Sequence, residues 1–211
     1  MTSLSFDVLG AEVARHAASP TIMFRLRISE GSGAVVHASL VRAQIRIEPQ
    51  RRRYDSEEEG RLYEMFGETP QWGNSLRPFL WTHATCTTPG FTDSIDVDLP
   101  VECTYDFEVA GAKYMHSLAD GEIPLILLFS GTVFTRGDSG FSAEPIGWEQ
   151  EANFRLPVSV WREMMDQYFP NSGWIRLDRD IFDELQCYKA ARALPTWDQA
   201  IEHLLKAAGD D

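Results

Sequence analysis

The stretch that decides the fold is residues 94–109, which read SIDVDLPVECTYDFEV. Every second residue from Ile95 onward is apolar, and most of the residues between them are acidic or small and polar. A period of two places successive side chains on opposite faces of an extended chain, so the pattern predicts β-structure with one buried face and one acidic, exposed face. The run exceeds the usual length of a strand and contains Pro100, which cannot donate to a ladder, so we expect two strands that meet at a bend there. The residues expected on the buried face near this bend are Val101, Cys103, Tyr105 and Phe107.

The same alternation recurs along most of the first 156 residues. Residues 21–28 and 39–47 each have one apolar face, and the glycines on either side of Ser32 predict a hairpin between them with arginines on its outer face. Further extended segments are predicted at residues 79–88, 123–135 and 146–156. About seven or eight strands joined by turns indicate an antiparallel β-sandwich or open barrel.

Helical patterns interrupt and follow the strands. Ser56 with Glu59 reads as a capping box that opens a short helix, and Gly67 supplies its end. After Pro157 the hydrophobic period changes from two to about 3.6, which predicts helices from there onward. The expected fold class is therefore α+β: a sandwich-like β domain over residues 1–156, and a helical C-terminal extension over residues 157–211 that packs on it.

The charge of the chain is strongly asymmetric. The net charge is −13, yet residues 1–54 carry 8 arginines against 4 acidic residues, so the remainder is strongly acidic. Such a surface repels nucleic acid and favours a protein partner. No segment approaches the ~18 apolar residues of a membrane span, and the first residues lack the pattern of an export signal. With three cysteines, an odd number that suits reduced thiols, we expect a cytoplasmic protein that does not bind membranes.

Short strings that suggest catalysis have simpler explanations. Residues 137–140 read GDSG, as around the nucleophile of trypsin-like serine proteases, but the next glycine of that pattern is absent and no histidine stands in a supporting context. Asp96 with Asp98, and Asp106 with Glu108, are spaced for glycoside hydrolysis or cation binding, but such pairs are also typical of the solvated face of a strand. We expect no catalytic residue, no metal and no cofactor, and leave open whether the protein is an enzyme.

Residues 174–205 resemble the ribbon-helix-helix pattern of small antitoxin-type repressors. The segment joins a short alternating stretch around Arg176 to two amphipathic helical patterns. The resemblance implies that two chains pair their strands and that Arg176 reads the DNA major groove. From residue 174 to the end, however, there are 5 bases against 8 acids, which opposes binding to a polyanion. We therefore favour a helical appendage or homodimer contact, with a DNA-binding regulator as an alternative.

Five longer strings carry a resemblance over the whole chain: IRIEPQRRRY at 45–54, LRPFLWTH at 76–83, DLPVECTYDFEV at 98–109, FSGTVF at 129–134 and LPTW at 194–197. With these strings the chain resembles a family of bacterial, chiefly actinobacterial, proteins encoded beside genes of high-affinity nickel–iron uptake hydrogenases. The resemblance implies an accessory role in assembly, maturation or docking of such a hydrogenase. Its protein partner would be a hydrogenase subunit or a maturation factor.

The expected function is thus that of a non-enzymatic binding protein. The candidate contact residues are Arg42, Arg46, Arg51, Arg52, Arg53 and Trp72. A planar guanidinium suits an acidic partner, but the same arginines could instead pair within the chain with the acidic residues 57–59. The alternative function is a small-ligand-binding protein or hydrolytic enzyme that uses a cavity in the sandwich.

Overall fold

The structure, a computed structural model, describes residues 2–104, 106, 109–137, 140–172 and 175–209. The chain forms two compact units, Met1–Gly173 and Trp174–Asp211. We expected a division after residue 156, where the hydrophobic period changes. The first unit extends further because the helix that follows the last strand packs against the strands.

The first unit is built on two antiparallel sheets. The strands are β1 Leu4–Val13, β2 Thr21–Glu30, β3 Val36–Ile47, β4 Phe79–Thr88, β5 Ser94–Glu102, β6 Glu122–Gly137, β7 Gly140–Pro145 and β8 Glu151–Pro157. The smaller sheet has the order β1-β2-β5. The larger has the order β4-β3-β6-β7, and β8 also pairs with the long strand β6. With the helices below, this confirms the predicted α+β class and its antiparallel sandwich.

The core lies between the apolar faces of the two sheets. Alternate residues of the central strands are fully or almost fully buried, because a period of two turns every second side chain inward. Phe6 stacks on Phe129 with ring centroids 4.2 Å apart, and Phe24 meets Phe154 edge-on at 5.7 Å. These contacts join the two sheets. The buried apolar residues of the central strands include Ile22, Phe24, Leu26, Ile28, Val36, Val41, Ala43, Ile45, Ile47, Ile123, Leu125, Leu127, Phe129 and Val133.

The prediction that the chain bends at Pro100 is wrong. Strand β5 passes straight through Pro100, which lies opposite Met23 of β2. Because β5 pairs only with β2 among the described strands, one of its edges has no strand partner there, and a proline is tolerated where no N–H is needed for a ladder. Leu99 and Val101 are buried, as the alternation predicts, and Cys103 is half-buried. The predicted burial of residues 105 and 107 lies outside the described residues.

The predicted hairpin of residues 21–28 and 39–47 is also wrong. Strand β2 pairs with β1 and β5, whereas β3 pairs with β4 and β6, so residues 31–33 connect the two sheets. Both strands are central, and their apolar faces meet across the core. The arginines of the two strands consequently lie on opposite outer surfaces. On β2, Arg25 and Arg27 pair with Asp98 and Asp96 of β5 at 3.2 and 2.7 Å.

Glu30, at the end of β2, organises this connection between the sheets. Its buried carboxylate accepts hydrogen bonds of 2.6 to 3.1 Å from the backbone N–H groups of Ser3, Ser32 and Ala34 and from the Ser32 hydroxyl. Burial opposes ionisation and raises its pKa, but the hydrogen bonds outweigh burial and lower the pKa from 4.5 to about 2. The carboxylate thus stabilises the turn as an anion.

Glu30→Gln should lower the free energy of unfolding at neutral pH by roughly 2 kcal/mol, because an amide cannot accept all of these hydrogen bonds. In the native protein, the stabilisation from ionised Glu30 is complete above about pH 5 and is lost as the pH falls towards about pH 2, since the unfolded state takes up the proton first. Urea unfolding at neutral pH and at about pH 3 measures both effects. An equal pH dependence in the variant and the native protein would contradict this role.

Among the described residues of the first unit there are four α-helices: α1 Ser56–Phe66, α2 Trp72–Ser75, α3 Ala110–Ser117 and α4 Val158–Tyr168. The predicted capping box is corrected at α1: the N-cap is Asp55, whose carboxylate accepts from the N–H groups of Glu57 and Glu58. Gly67 ends the helix with a φ of 73°, as expected. Helix α4 contacts β1, β2 and β8 through four buried side chains. These are Val158, Trp161, Met164 and Met165.

The second unit holds helices α5 Arg179–Ala191 and α6 Trp197–Gly209. Thr196 caps the start of α6, since its hydroxyl accepts from the N–H of Gln199 at 3.2 Å. Residues 175–178 belong to none of the described strands. The Tyr188 hydroxyl lies 2.6 Å from His203 Nδ1, and Phe182 lies against Trp197 with centroids 5.3 Å apart.

Candidate functional site

The outer face of the five-stranded sheet is the candidate site, and we refer to it as the arginine face. Its side chains come from alternate positions of three neighbouring strands whose inner positions fill the core. They include Leu40, Arg42, Gln44 and Arg46 of β3, Leu80, His83, Thr85 and Thr87 of β4, and Ile126, Leu128, Ser130, Thr132 and Phe134 of β6.

Large apolar side chains on this face are open to solvent. Leu40 and Leu80 are each 45% exposed and Phe134 is 39% exposed. Scattered exposed leucines are ordinary, but these three share one sheet surface with the half-buried Ile126 and Leu128. Shared exposure of this kind is typical of an interaction surface.

The arginines of the face are not neutralised like those of the smaller sheet. Arg42 is exposed between Thr85 and Ser130 in the register of the strands. Arg46 donates a hydrogen bond of 3.3 Å to the carbonyl of Pro78. Within the described part of the chain, neither arginine forms an ion pair. Both charges are therefore available to a partner.

Arg51 lies at the border of the arginine face. Its guanidinium is 3.1 Å from Glu48 and donates to Asn153 Oδ1 of β8 at 3.0 Å. Its side chain is nevertheless 53% exposed. Strand β8 contributes one acidic residue to this face, Glu151, which lies opposite Leu128 of β6. The balance of charge on the face remains positive.

The prediction that Arg52 contacts a partner is corrected by the structure. Its side chain is 10% exposed, and its guanidinium pairs with Glu58 at 2.5 Å. It also donates to the carbonyls of Asp120 and Glu122 at 2.7 and 3.1 Å. A buried guanidinium with these partners holds two segments of its own chain together and cannot reach a separate molecule. Arg53, by contrast, is exposed.

The prediction that Trp72 contacts a partner is also corrected, because Trp72 is only 7% exposed. Its indole N–H donates to the carbonyl of Gly67 at 2.9 Å. The ring meets Tyr54 edge-on at 5.2 Å and Phe66 at 6.2 Å. Trp72 thus closes a small aromatic cluster beneath α1 and offers no surface for a partner.

The alternative prediction is that the five candidate arginines pair with the acidic residues 57–59. It holds for one of the five. Glu58 pairs with Arg52, whereas Glu57 pairs with Arg61 at 3.6 Å. Glu59 accepts from the hydroxyl of Thr69 at 3.3 Å. The structure therefore divides the predicted patch into largely buried Arg52, half-buried Arg46 and three exposed arginines, Arg42, Arg51 and Arg53.

A cavity of about 600 Å³ lies between the edge strands β4 and β5. Its walls include Trp81, Glu102 and Cys103, with Ala112 of α3 and Trp161 of α4 at one end. Helix α3 packs closely here, since a Cβ on Gly111 would lie 2.7 Å from the Trp81 ring. The volume falls within the range of roughly 300–1,000 Å³ of ligand sites.

Neither the thiol of Cys103, which lines this cavity, nor that of Cys86 in β4 is set up as a nucleophile. Burial raises the pKa of Cys103 to about 12 and that of Cys86 to about 11. A thiol with a raised pKa holds its proton at neutral pH and reacts slowly. Over the described residues, no three His, Cys, Asp or Glu side chains are grouped to hold a metal ion. Residues 138 and 139 of the GDSG string lie outside the described residues.

Sequence reasoning missed the apolar half of the arginine face. Leu80 and Phe134 occupy outward positions inside segments that read as generally apolar. A signal was present in residues 123–135, where apolar residues occupy both the odd and the even positions of a strand, so that both of its faces are apolar.

Among the described helices, none has the length and apolar character that a membrane crossing needs.

The fold and the face define a β-sandwich protein whose larger sheet carries exposed arginine and apolar side chains. The chain belongs to the family of unknown function DUF6084, whose model matches residues 1–211. No curated protein matches the sequence.

Several solved structures show distant similarity. They include the CARDB domain of a Pyrococcus furiosus protein, at 10% identity over 74% of this chain and 92% of that one with a TM-score of 0.30. A putative late embryogenesis abundant protein has 14% identity over 74% and 72% with a TM-score of 0.31. The fimbrial subunit AggA of Escherichia coli has 9% identity over 74% and 94% with a TM-score of 0.25. These scores are too low to carry an argument about function.

Proposed function

We propose that this protein is a non-enzymatic accessory protein that binds a protein partner through the arginine face. The observation that carries the proposal is the combination of exposed Leu40, Leu80 and Phe134 with arginines that lack an acidic partner in the described chain. Apolar area supplies affinity when it is covered, and unneutralised guanidinium groups select a partner surface with carboxylates.

The chemistry of the partner follows from this face. Arg42 is flanked by the short side chains of Thr85 and Ser130, so a carboxylate can approach its guanidinium without a steric barrier. Leu40 and Leu80 lie on either side of Arg42 along the strands and suit an apolar rim around that carboxylate. The resemblance to proteins encoded beside hydrogenase genes supports a nickel–iron hydrogenase subunit or maturation factor as the partner, met in the cytoplasm.

Arg42→Glu should reduce the recovery of this partner at least about tenfold in affinity purification from the native host, because the reversed charge repels the carboxylate it met. The matched control is Arg25→Glu, which reverses an exposed arginine on the outer face of the other sheet. The Arg25 pair with Asp98 is exposed, so its loss costs little stability. Mass spectrometry quantifies what each tagged variant retains.

Equal recovery of all proteins by the folded Arg42→Glu variant would overturn docking through this face. Recovery that depends on Arg42, but of a protein unrelated to hydrogenase, would leave the docking face and overturn the hydrogenase assignment. Thermal unfolding of each variant confirms that the fold is intact.

A further inference from the structure

The sandwich is open along the side where β4 meets β5. Within the described part of the chain, each strand is the last of its sheet: β4 pairs only with β3, and β5 only with β2. The two strands lie side by side, but no ladder joins them in the described residues. Their outer edges therefore carry backbone N–H and C=O groups that have no strand partner among the residues the structure describes.

The two edges differ in how well they are protected. Strand β5 carries Asp96, Asp98 and Pro100, and both charge and proline discourage the addition of another strand. Strand β4 reads FLWTHATCTT and has no charged residue, proline or glycine across its ten positions. A long, uncharged edge strand is a template for pairing with a further chain.

The cavity of about 600 Å³ lies beside this same edge. Its aromatic walls are Trp81 of β4 itself and Trp161 of α4. On the other side of the edge lies the arginine face, with Arg42 one strand inward from Thr85. A strand added to β4 would therefore present alternate side chains to two different environments.

We propose that β4 receives an extended segment of the protein partner as an additional strand of the five-stranded sheet. This rests on the proposed function, because the added strand continues the arginine face. The segment alternates acidic and apolar residues. An acidic residue of the added strand, next to Thr85, would be two strand spacings or about 10 Å from Arg42 of β3. The side chains of an arginine and a glutamate together span that distance. The apolar side chains between them enter the cavity against Trp81.

Hydrogen exchange of the free protein tests the first requirement. In a dilute sample, the β4 amides that face away from β3 should exchange rapidly, while the amides of the central strands β3 and β6 are protected. Protection of every β4 amide in the free protein would overturn the proposal, because the chain's own residues or a second copy would then occupy the edge. A dilution series with light scattering identifies a second copy.

A phage-displayed library of random ten-residue peptides is the probe for the second requirement. Peptides enriched on the protein should alternate acidic and apolar residues, and their addition should slow exchange in β4 and leave β5 unchanged. Methylation of alternate backbone nitrogens should weaken binding more than about tenfold in one of the two frames and little in the other, since an added strand donates from every second residue.

The absence of such peptides, or equal effects of both methylated frames, would overturn strand addition. These failures are distinct from failure of the proposed function. If partner recovery depends on Arg42 while methylation has no frame effect, the docking face stands without strand addition. If peptides bind in one frame while Arg42→Glu leaves partner recovery unchanged, the edge binds a strand and the proposed docking fails.

Discussion

Glu58→Ala should lower the free energy of unfolding by about 3–5 kcal/mol, the usual cost when one partner of a buried ion pair is removed. Glu58 is 2% exposed and accepts from Arg52 at 2.5 Å and from the N–H of Ala119 at 2.7 Å. The variant would leave the guanidinium of Arg52 buried without its counter-charge. Urea unfolding followed by tryptophan fluorescence measures the loss.

Two further variants separate this effect from a general loss of charge. Glu57→Ala removes the adjacent acid, whose side chain is 85% exposed, and should change the free energy by no more than about 0.5 kcal/mol. The double variant Arg52→Met, Glu58→Leu removes both charges and should recover about half of the loss or more, because no unpaired charge remains buried. A Glu58→Ala midpoint equal to that of Glu57→Ala would contradict the assigned role.

The position of Arg52 also determines which variants can test docking. Residues 51–53 form the densest run of arginines in the sequence, and charge reversal of the whole run would place an anion beside buried Glu58. Such a variant would lose partner binding by unfolding. Arg42 is the better probe, since its side chain is exposed and forms no ion pair within the described residues.

The strands were largely predictable because burial on one face leaves a period of two in the sequence. Residues 94–102 and 39–47 show that period clearly, and both are strands. The period identifies which face is buried but not which strand lies alongside. For this reason the pattern placed residues 21–28 and 39–47 in one hairpin, whereas each is central in a different sheet.

Pro100 shows a second limit of the pattern. A proline breaks a ladder only where its nitrogen would have to donate, and this depends on whether the strand is central or at an edge. The position of a strand within its sheet is set by distant segments, so the sequence around Pro100 carries no sign of it. Strand β5 is an edge strand and runs on without a break.

The candidate site was predictable in part. Arg42 and Arg46 lie at outward positions of an alternating segment, so their exposure relative to the core followed from the pattern. Arg52 follows a single short turn and Trp72 begins the four-residue helix α2, and neither segment is long enough to show a period that separates a buried side chain from an exposed one. Their burial depends on contacts with Glu58, Tyr54 and Phe66, which only the folded chain brings together.

Gly131→Ala should be the most damaging single methyl addition in the described sheets, with a loss of more than about 4 kcal/mol or failure to fold. Gly131 lies in β6 opposite Val41 and has a φ of 138°, a region that L side chains rarely adopt. A Cβ at this position would lie 2.0 Å from the carbonyl oxygen of Leu40. Because that atom belongs to the backbone of the neighbouring strand, the ladder itself would have to move.

Gly140→Ala is the matched control for this prediction. Gly140 has a similar φ of 132°, but no atom of the described residues lies within 4 Å of the position that a Cβ would take. This variant therefore costs only backbone strain, about 1–3 kcal/mol. The difference between the two unfolding free energies isolates the clash between β6 and Leu40. Since Leu40 and the neighbours of Gly131 form part of the arginine face, equal losses in the two variants would show that this face does not need the close approach of β3 and β6.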